Sequence, residues 1–121
     1  MTSKRKQGIG TRLAHGGRNT QRQFGAINPP VVRASTFLFD SYDDFVTRKA
    51  RDRHKGEYVY GRVGTPTSTA LEGLVAELEG AADCFSVSSG LAAITGALLA
   101  LLRAGDHLLI ADTVYEPART F

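Results

Sequence analysis

The sequence has little of three things, and each shortage excludes a class of protein. It has one cysteine, Cys84, among 121 residues. A disulfide-stapled secreted domain is therefore excluded, and a reducing compartment, the cytoplasm, is favoured. The longest apolar run, residues 91–102, is shorter than the ~20 residues of a membrane-spanning helix. No hydrophobic stretch follows the charged residues 1–10, so no secretory signal is predicted. We expect no membrane partner, and we expect Cys84 to be a small buried side chain.

Acidic residues are absent from residues 1–39, whose charged side chains are all Lys or Arg. A basic arm of this kind can bind nucleic acid. This one lacks interleaved aromatic residues and any recognition motif, so we favour a solvated arm and expect no nucleic-acid partner. The histidines have no Cys or His neighbours at metal-ligand spacing, so no metal site is predicted. They are His15, His54 and His107.

The first half of the chain has few helix signals. Its glycines predict an irregular arm over residues 1–30. The β-branched and aromatic residues 31–39 predict an extended segment. Asp40 or Ser41 is a suitable N-cap for a helix that runs to about Arg53.

Helix and strand signals alternate from Thr65 onward. Thr65 is a good N-cap, Pro66 suits the first helical position, and Gly80 suits the end of the helix. The apolar residues of this helix form one stripe, at positions 71, 74, 75 and 78.

Two short buried strands are predicted next, at residues 83–87 and 107–111. Between them lies a helix over residues 91–103, which is apolar nearly all round and should be buried. Another helix begins near Pro117.

This alternation predicts an α/β fold with a parallel sheet. The strands are too few for a finished sheet, so we expect the front part of a larger domain. We divide the chain into an arm with a helix, residues 1–64, and the beginning of an α/β domain, residues 65–121.

A phosphate site is predicted at "VSSGLAA", residues 87–93. A strand should end at Val87 and a helix begin near Gly90, so that free backbone amides and the helix dipole face an anion. The alternative interpretation is an ordinary strand-to-helix turn with a serine N-cap.

Two further candidates are aromatic or basic. Arg62, beside Tyr60, could form paired hydrogen bonds to a phosphate, to which the phenol could add another; the alternative is a surface turn. Tyr115 follows a predicted strand end, where ligands bind in open α/β sheets and a ring could stack on a flat ligand. The alternative for Tyr115 is an ordinary core tyrosine.

These motifs together resemble the cystathionine, or Cys/Met metabolism, family of pyridoxal 5'-phosphate (PLP) enzymes. The resemblance covers almost the whole chain, with five segments in the family's order and spacing. They are "TRLAHGGR" (11–18), "NPPVVRASTFLF" (28–39), "YGRVGTPT" (60–67), "SSGLAA" (88–93) and "DTVYEP" (112–117).

The resemblance implies the fold, the cofactor and the site residues. The fold is a PLP-dependent transferase-like, aspartate aminotransferase-type domain preceded by an extended arm. Gly90 and Leu91 would give backbone amides to the cofactor phosphate, a role that tolerates Leu91 where methionine is frequent. Tyr115 would stack on the pyridine ring and is also a candidate for proton transfer. Tyr60 and Arg62 would bind the phosphate of a neighbouring subunit, in a homotetramer built as a dimer of dimers.

Within the family, "YGR" with "GTPT" and the later "YEP" are most similar to the bacterial β-lyases of methionine biosynthesis. The implied reaction cleaves the amino acid cystathionine to homocysteine, pyruvate and ammonia. The alternatives are a γ-synthase or γ-lyase of the same family, or a non-catalytic fragment.

The resemblance also implies groups that are missing from these 121 residues. The family's Schiff-base lysine, the aspartate facing the pyridine nitrogen and the arginine that binds the substrate carboxylate all lie further along. No lysine here matches that position: they are Lys4, Lys6, Lys49 and Lys55. We therefore expect the chain alone to be inactive.

Overall fold

The computed structural model describes residues 7–47 and 56–121. The chain divides into two compact units, Met1–Cys84 and Phe85–Phe121. The predicted division of the chain after residue 64, into arm and domain, stays a prediction. The helices within the described residues are α1 (Ile9–His15), α2 (Tyr42–Thr47), α3 (Pro66–Glu79), α4 (Gly90–Leu101) and α5 (Glu116–Thr120).

Helix α1 lies where the glycine content predicted an irregular arm, so that part of the prediction was wrong. The helix packs against α3. A guanidinium nitrogen of Arg12 donates to the carbonyl of Glu77 at 3.2 Å. At the end of α1, a Cβ atom on Gly16 would strike the side chain of Leu74. Contacts with α3 therefore stabilise a helix that would be too short to form alone.

Helix α3 begins and ends where the sequence predicts. Thr65 forms a capping box with Ser68, in which each side chain accepts the other's backbone N–H, at 3.3 Å for the Thr65 hydroxyl and 2.9 Å for the Ser68 hydroxyl. Gly80 adopts the left-handed conformation, with φ of 67°, that ends many helices.

The predicted apolar stripe of α3 is not its buried face within the described residues. Leu71 is 57% exposed, whereas Glu72 and Ala76 are buried. The N-terminal segment lies against Leu74 of the stripe, beside Gly16, and extends over a neighbouring side of the helix. A Cβ atom on Gly17, for example, would lie 3.1 Å from the carbonyl oxygen of Ala70.

Helix α2 follows its predicted N-cap, because the hydroxyl of Ser41 accepts the backbone N–H of Asp44 at 3.1 Å. Its predicted end near Arg53 lies outside the described residues.

The two predicted strands are not paired within residues 7–47 and 56–121. Residues 83–87 and 107–111 carry no helix or strand assignment there. The β pairing found in the described residues is one antiparallel bridge between Thr36 and Tyr60. A strand is assigned where a segment pairs with a neighbour about 4.8 Å away, and neither segment is assigned to such a pair in the described part of the chain.

Helix α4 covers most of its predicted range but is not buried as predicted. None of its residues is buried, and Leu99 and Leu101 are 69% and 82% exposed. Among the described elements, only α5 packs against it. Cys84, likewise expected to be buried, is only partly buried. Every helix in the described ranges falls short of what is needed to cross a membrane.

Candidate functional site

The start of α4 has the geometry of an anion site. Ser89 is the N-cap in an extended conformation, and its hydroxyl accepts the backbone N–H of Ala92 at 3.1 Å. The N–H of Ala93 donates to the carbonyl of Ser89 at 3.1 Å. Within the described residues, no hydrogen bond is found for the N–H groups of Gly90 and Leu91. Two adjacent donors at the positive end of a 12-residue helix can therefore bind an anion.

The approach to these two amides is open. A Cβ atom placed on Gly90 would meet no atom within 4 Å. Leu91 is partly buried, and its proposed contribution is a backbone group, so its side chain is free to pack. The two donors and the clearance beside Gly90 fit a phosphate group.

Tyr60 and Arg62 lie at a turn of the other compact unit, on its surface. Tyr60 is 40% exposed, and Arg62 is also exposed. The carbonyl of Tyr60 accepts the N–H groups of Val63 at 2.9 Å and Gly64 at 3.3 Å, which closes the turn. The guanidinium of Arg62 lies over the Tyr60 ring. The two side chains are therefore brought together, as the motif predicts, and they contact each other.

Gly61 is a feature of this turn that sequence reasoning missed. Its N–H donates to the carbonyl of Ser35 at 2.8 Å. A Cβ atom there would collide with the carbonyl oxygen of Ala34. A glycine between two candidate ligands in an extended segment was the available signal.

Tyr115 stands at the N-cap position of α5 and is 60% exposed, so it is not the core tyrosine of the alternative interpretation in the described structure. Its carbonyl accepts the N–H of Ala118 at 2.9 Å. An ion pair of 3.0 Å between Arg119 and Asp112 spans the turn that carries the ring. The ring face is accessible to a flat ligand.

The candidate residues fall in both compact units. Tyr60 and Arg62 belong to Met1–Cys84, and Gly90, Leu91 and Tyr115 belong to Phe85–Phe121. Their roles toward a cofactor stay predictions. All four lysines of the chain lie outside the described residues.

Comparison with protein families gives a match over nearly the whole chain. The family model of the Cys/Met metabolism PLP-dependent enzymes matches residues 10–121. Members of this family depend on PLP, a cofactor that carries a phosphate group.

Curated relatives agree with that match. The chain is 41% identical over 116 residues to a cystathionine beta-lyase of Haemophilus influenzae, covering 96% of this chain and 29% of the relative. It is 39% identical over 113 residues to cystathionine beta-lyase MetC of Escherichia coli, covering 93% of this chain and 28% of the relative. The chain thus spans less than a third of the length of these relatives.

A solved structure supports the fold class. The crystal structure of metB from Corynebacterium glutamicum superposes with a TM-score of 0.78 at 34% sequence identity, covering 94% of this chain and 27% of that one. The described residues therefore have part of a PLP-transferase-like fold. The chain belongs to the Cys/Met metabolism family of PLP-dependent enzymes.

Proposed function

We propose that this chain supplies the N-terminal arm and the first phosphate-binding turn of a PLP-dependent carbon–sulfur lyase. The substrate is cystathionine, and the products are homocysteine, pyruvate and ammonia. The start of α4 carries this proposal: its Gly90 and Leu91 amides have no hydrogen-bond partner among the described residues, and the chain is similar to proteins named cystathionine beta-lyase.

The residues of this chain act by holding the cofactor. When bound, PLP supplies an electron sink for the negative charge that develops at the substrate α-carbon. Gly90 and Leu91 donate their N–H groups to the phosphate, and the α4 dipole adds partial positive charge. The Tyr115 ring would stack on the pyridine of the bound cofactor, and its hydroxyl is a candidate to move a proton.

Tyr60 and Arg62 bind the phosphate of the PLP held by a neighbouring subunit. Both are exposed on a turn that is anchored to the arm through the Thr36–Tyr60 bridge. A charged donor in a planar fork and a phenol suit a phosphate, because such charge-assisted hydrogen bonds are strong. The assembly that follows is a homotetramer of two active dimers.

The remaining catalytic groups come from residues that follow Phe121 in the full-length enzyme. These are the lysine that binds PLP, the partner of the pyridine nitrogen and the arginine for the substrate carboxylate. The 121-residue chain is inactive without them. The lyase acts in methionine biosynthesis, in the cytoplasm, and a sequence with a single cysteine suits that reducing compartment.

The first test is to sequence the coding DNA downstream of Phe121. An open frame that encodes a lysine after a strand-end Ser or Thr is expected, and a natural stop codon without such a frame would exclude the enzyme for this chain.

The second test is an assay of the full-length protein with cystathionine and PLP. Equal amounts of pyruvate and homocysteine are expected. Products of γ-cleavage or γ-replacement without pyruvate would favour the γ-lyase or γ-synthase alternative. The 121-residue chain alone should neither turn over cystathionine nor form a borohydride-reducible adduct with PLP at a specific lysine.

A further inference from the structure

The turn that carries Tyr60 and Arg62 lies unusually close to an earlier segment of the chain. The carbonyl carbon of Ala34 would be 3.0 Å, and the Cα atom of Ser35 3.2 Å, from a Cβ atom built on Gly61. The carbonyl oxygen of Ala34 would be closer still. These are backbone atoms, which cannot move aside as the end of a flexible side chain can. Only glycine fits at position 61 while the two segments keep this separation.

Several interactions hold the two segments at this distance. The N–H of Gly61 donates to the carbonyl of Ser35 at 2.8 Å. Thr36 forms the antiparallel bridge with Tyr60. The ring of Phe37 stacks on that of Tyr58, with centroids 5.5 Å apart. We call residues 34–37 the strap, because they run beside the turn and bond to it.

The strap fixes the backbone at Tyr60 and at Gly61, directly before Arg62. Tyr60 is tied by the bridge, and Arg62 follows Gly61 directly, in the turn closed by the Tyr60 carbonyl. Small backbone displacements are amplified at the end of an arginine side chain. A binding group placed even about 1 Å away from its productive position loses most of its benefit.

We propose that Gly61 is a positioning residue, whose missing side chain lets the strap aim Tyr60 and Arg62 at the cofactor phosphate. This rests on the proposed function of those two side chains. Gly61 itself touches no cofactor in this proposal. It acts by permitting the close approach of Ala34.

The experiment compares two ligands on the full-length protein freed of its cofactor. PLP carries the phosphate, and pyridoxal has a hydroxyl in its place. In Gly61→Ala, the dissociation constant for PLP should rise roughly tenfold or more, as expected for the loss of a charge-assisted hydrogen bond. The constant for pyridoxal should not change. A disturbance of the whole fold would instead weaken both ligands and lower the thermal midpoint of the cofactor-free protein.

Two variants serve as controls. Gly73→Ala places a methyl group on α3, where a Cβ atom meets nothing within 4 Å, and should leave both dissociation constants unchanged. Ala34→Gly, added to Gly61→Ala, gives the strap carbonyl freedom to turn away and should restore part of the PLP affinity.

The proposal is overturned if Gly61→Ala binds PLP as tightly as the parent, or loses PLP and pyridoxal equally. It is also overturned if Ala34→Gly restores nothing. Arg62→Ala separates these results from the proposed function. If Arg62→Ala loses PLP affinity and Gly61→Ala does not, Arg62 keeps its role and only the positioning by Gly61 is wrong. If Arg62→Ala keeps its affinity, the phosphate role of the turn fails, and the inference fails with it.

Discussion

The guanidinium carbon of Arg62 lies 5.1 Å from the centroid of the Tyr60 ring. This is within the range of a cation–π interaction, which contributes about 0.5–1 kcal/mol at exposed sites. The ring face thus holds the guanidinium in place, and the phenol hydroxyl is left to donate a hydrogen bond of its own. The two residues work as a pair, and the contributions of ring and hydroxyl can be separated by substitution.

Tyr60→Phe keeps the ring and removes the hydroxyl. We expect the dissociation constant for PLP to rise by about threefold to tenfold, for the loss of one hydrogen bond of about 1 kcal/mol. Tyr60→Leu removes the ring as well and should weaken binding further. Titration of the cofactor-free full-length protein with PLP measures both. Equal constants for the Phe and Leu variants would show that the ring does not support Arg62.

Arg62→Ala should weaken PLP retention with little loss of fold. A charge-assisted hydrogen bond contributes about 1.5–3 kcal/mol, so the dissociation constant should rise at least about tenfold. The thermal midpoint of the cofactor-free protein should stay near that of the parent. Arg103→Ala removes an arginine that is exposed just after α4 and is the matched control. A cofactor held as tightly by Arg62→Ala as by the parent contradicts the role of the turn.

Gly90→Pro removes one of the two free N–H groups at the start of α4 without breaking the helix. Proline is favoured at the first helical position, and Ser89 already has the extended conformation that precedes proline. We expect PLP affinity to fall roughly tenfold while helix content measured by circular dichroism is unchanged. Gly90→Ala keeps the N–H and is the control. If the Gly90→Pro protein has the same dissociation constant for PLP as the Gly90→Ala protein, the Gly90 amide is not a phosphate ligand.

Mixed dimers test whether the arm serves a neighbouring subunit. We expect Arg62→Ala and Gly90→Pro subunits to weaken PLP binding when each assembles with itself. A heterodimer of the two, purified with two affinity tags, has one intact site if Arg62 acts across the interface. It should bind one PLP per dimer with the parent affinity. Two weakened sites in the heterodimer would place Arg62 and Gly90 in the same subunit's site.

Thr67 connects α3 to the arm through its hydroxyl. The hydroxyl accepts the N–H of Val32 at 2.8 Å and donates to the carbonyl of Pro30 at 2.9 Å. Thr67→Val leaves both backbone groups without this partner and should lower the free energy of unfolding by about 1–3 kcal/mol. Thr67→Ser keeps the hydroxyl and should change it little. Denaturant unfolding of the full-length protein measures both, and an unchanged midpoint for Thr67→Val would contradict the connection.

The parts predicted well from the sequence depend on neighbouring residues only. The Thr65 cap and the Gly80 end of α3 are local signals, and so is the Ser89 start of α4 beside Gly90. The hydrogen bonds that form these helix ends join residues within one helical turn of each other. The free amides of the candidate phosphate site could therefore be located from the amino-acid sequence alone.

The parts predicted poorly depend on distant residues. Helix α1 is stabilised by α3, which lies more than 50 residues away in the sequence. Burial of α4 and pairing of the two strands require neighbours that the described residues do not provide. The importance of Gly61 becomes visible only when Ala34 is placed beside it. The glycine between two candidate ligands was a local signal, but the sequence near residue 61 does not say which segment approaches it.

The bridge between Thr36 and Tyr60 also has a consequence for how this protein tolerates change in length. Because Thr36 and Tyr60 are paired, the two ends of the segment that connects them lie side by side. The length of that segment therefore does not alter where Tyr60 and Arg62 lie. Closing a flexible loop becomes only about 0.6 kcal/mol harder for each doubling of its length. Insertions and deletions between Leu38 and Glu57, which keep the Phe37–Tyr58 ring contact, should therefore be far less harmful than a single insertion between Tyr60 and Thr65. The connection can vary in length during evolution while the turn it returns to keeps its geometry.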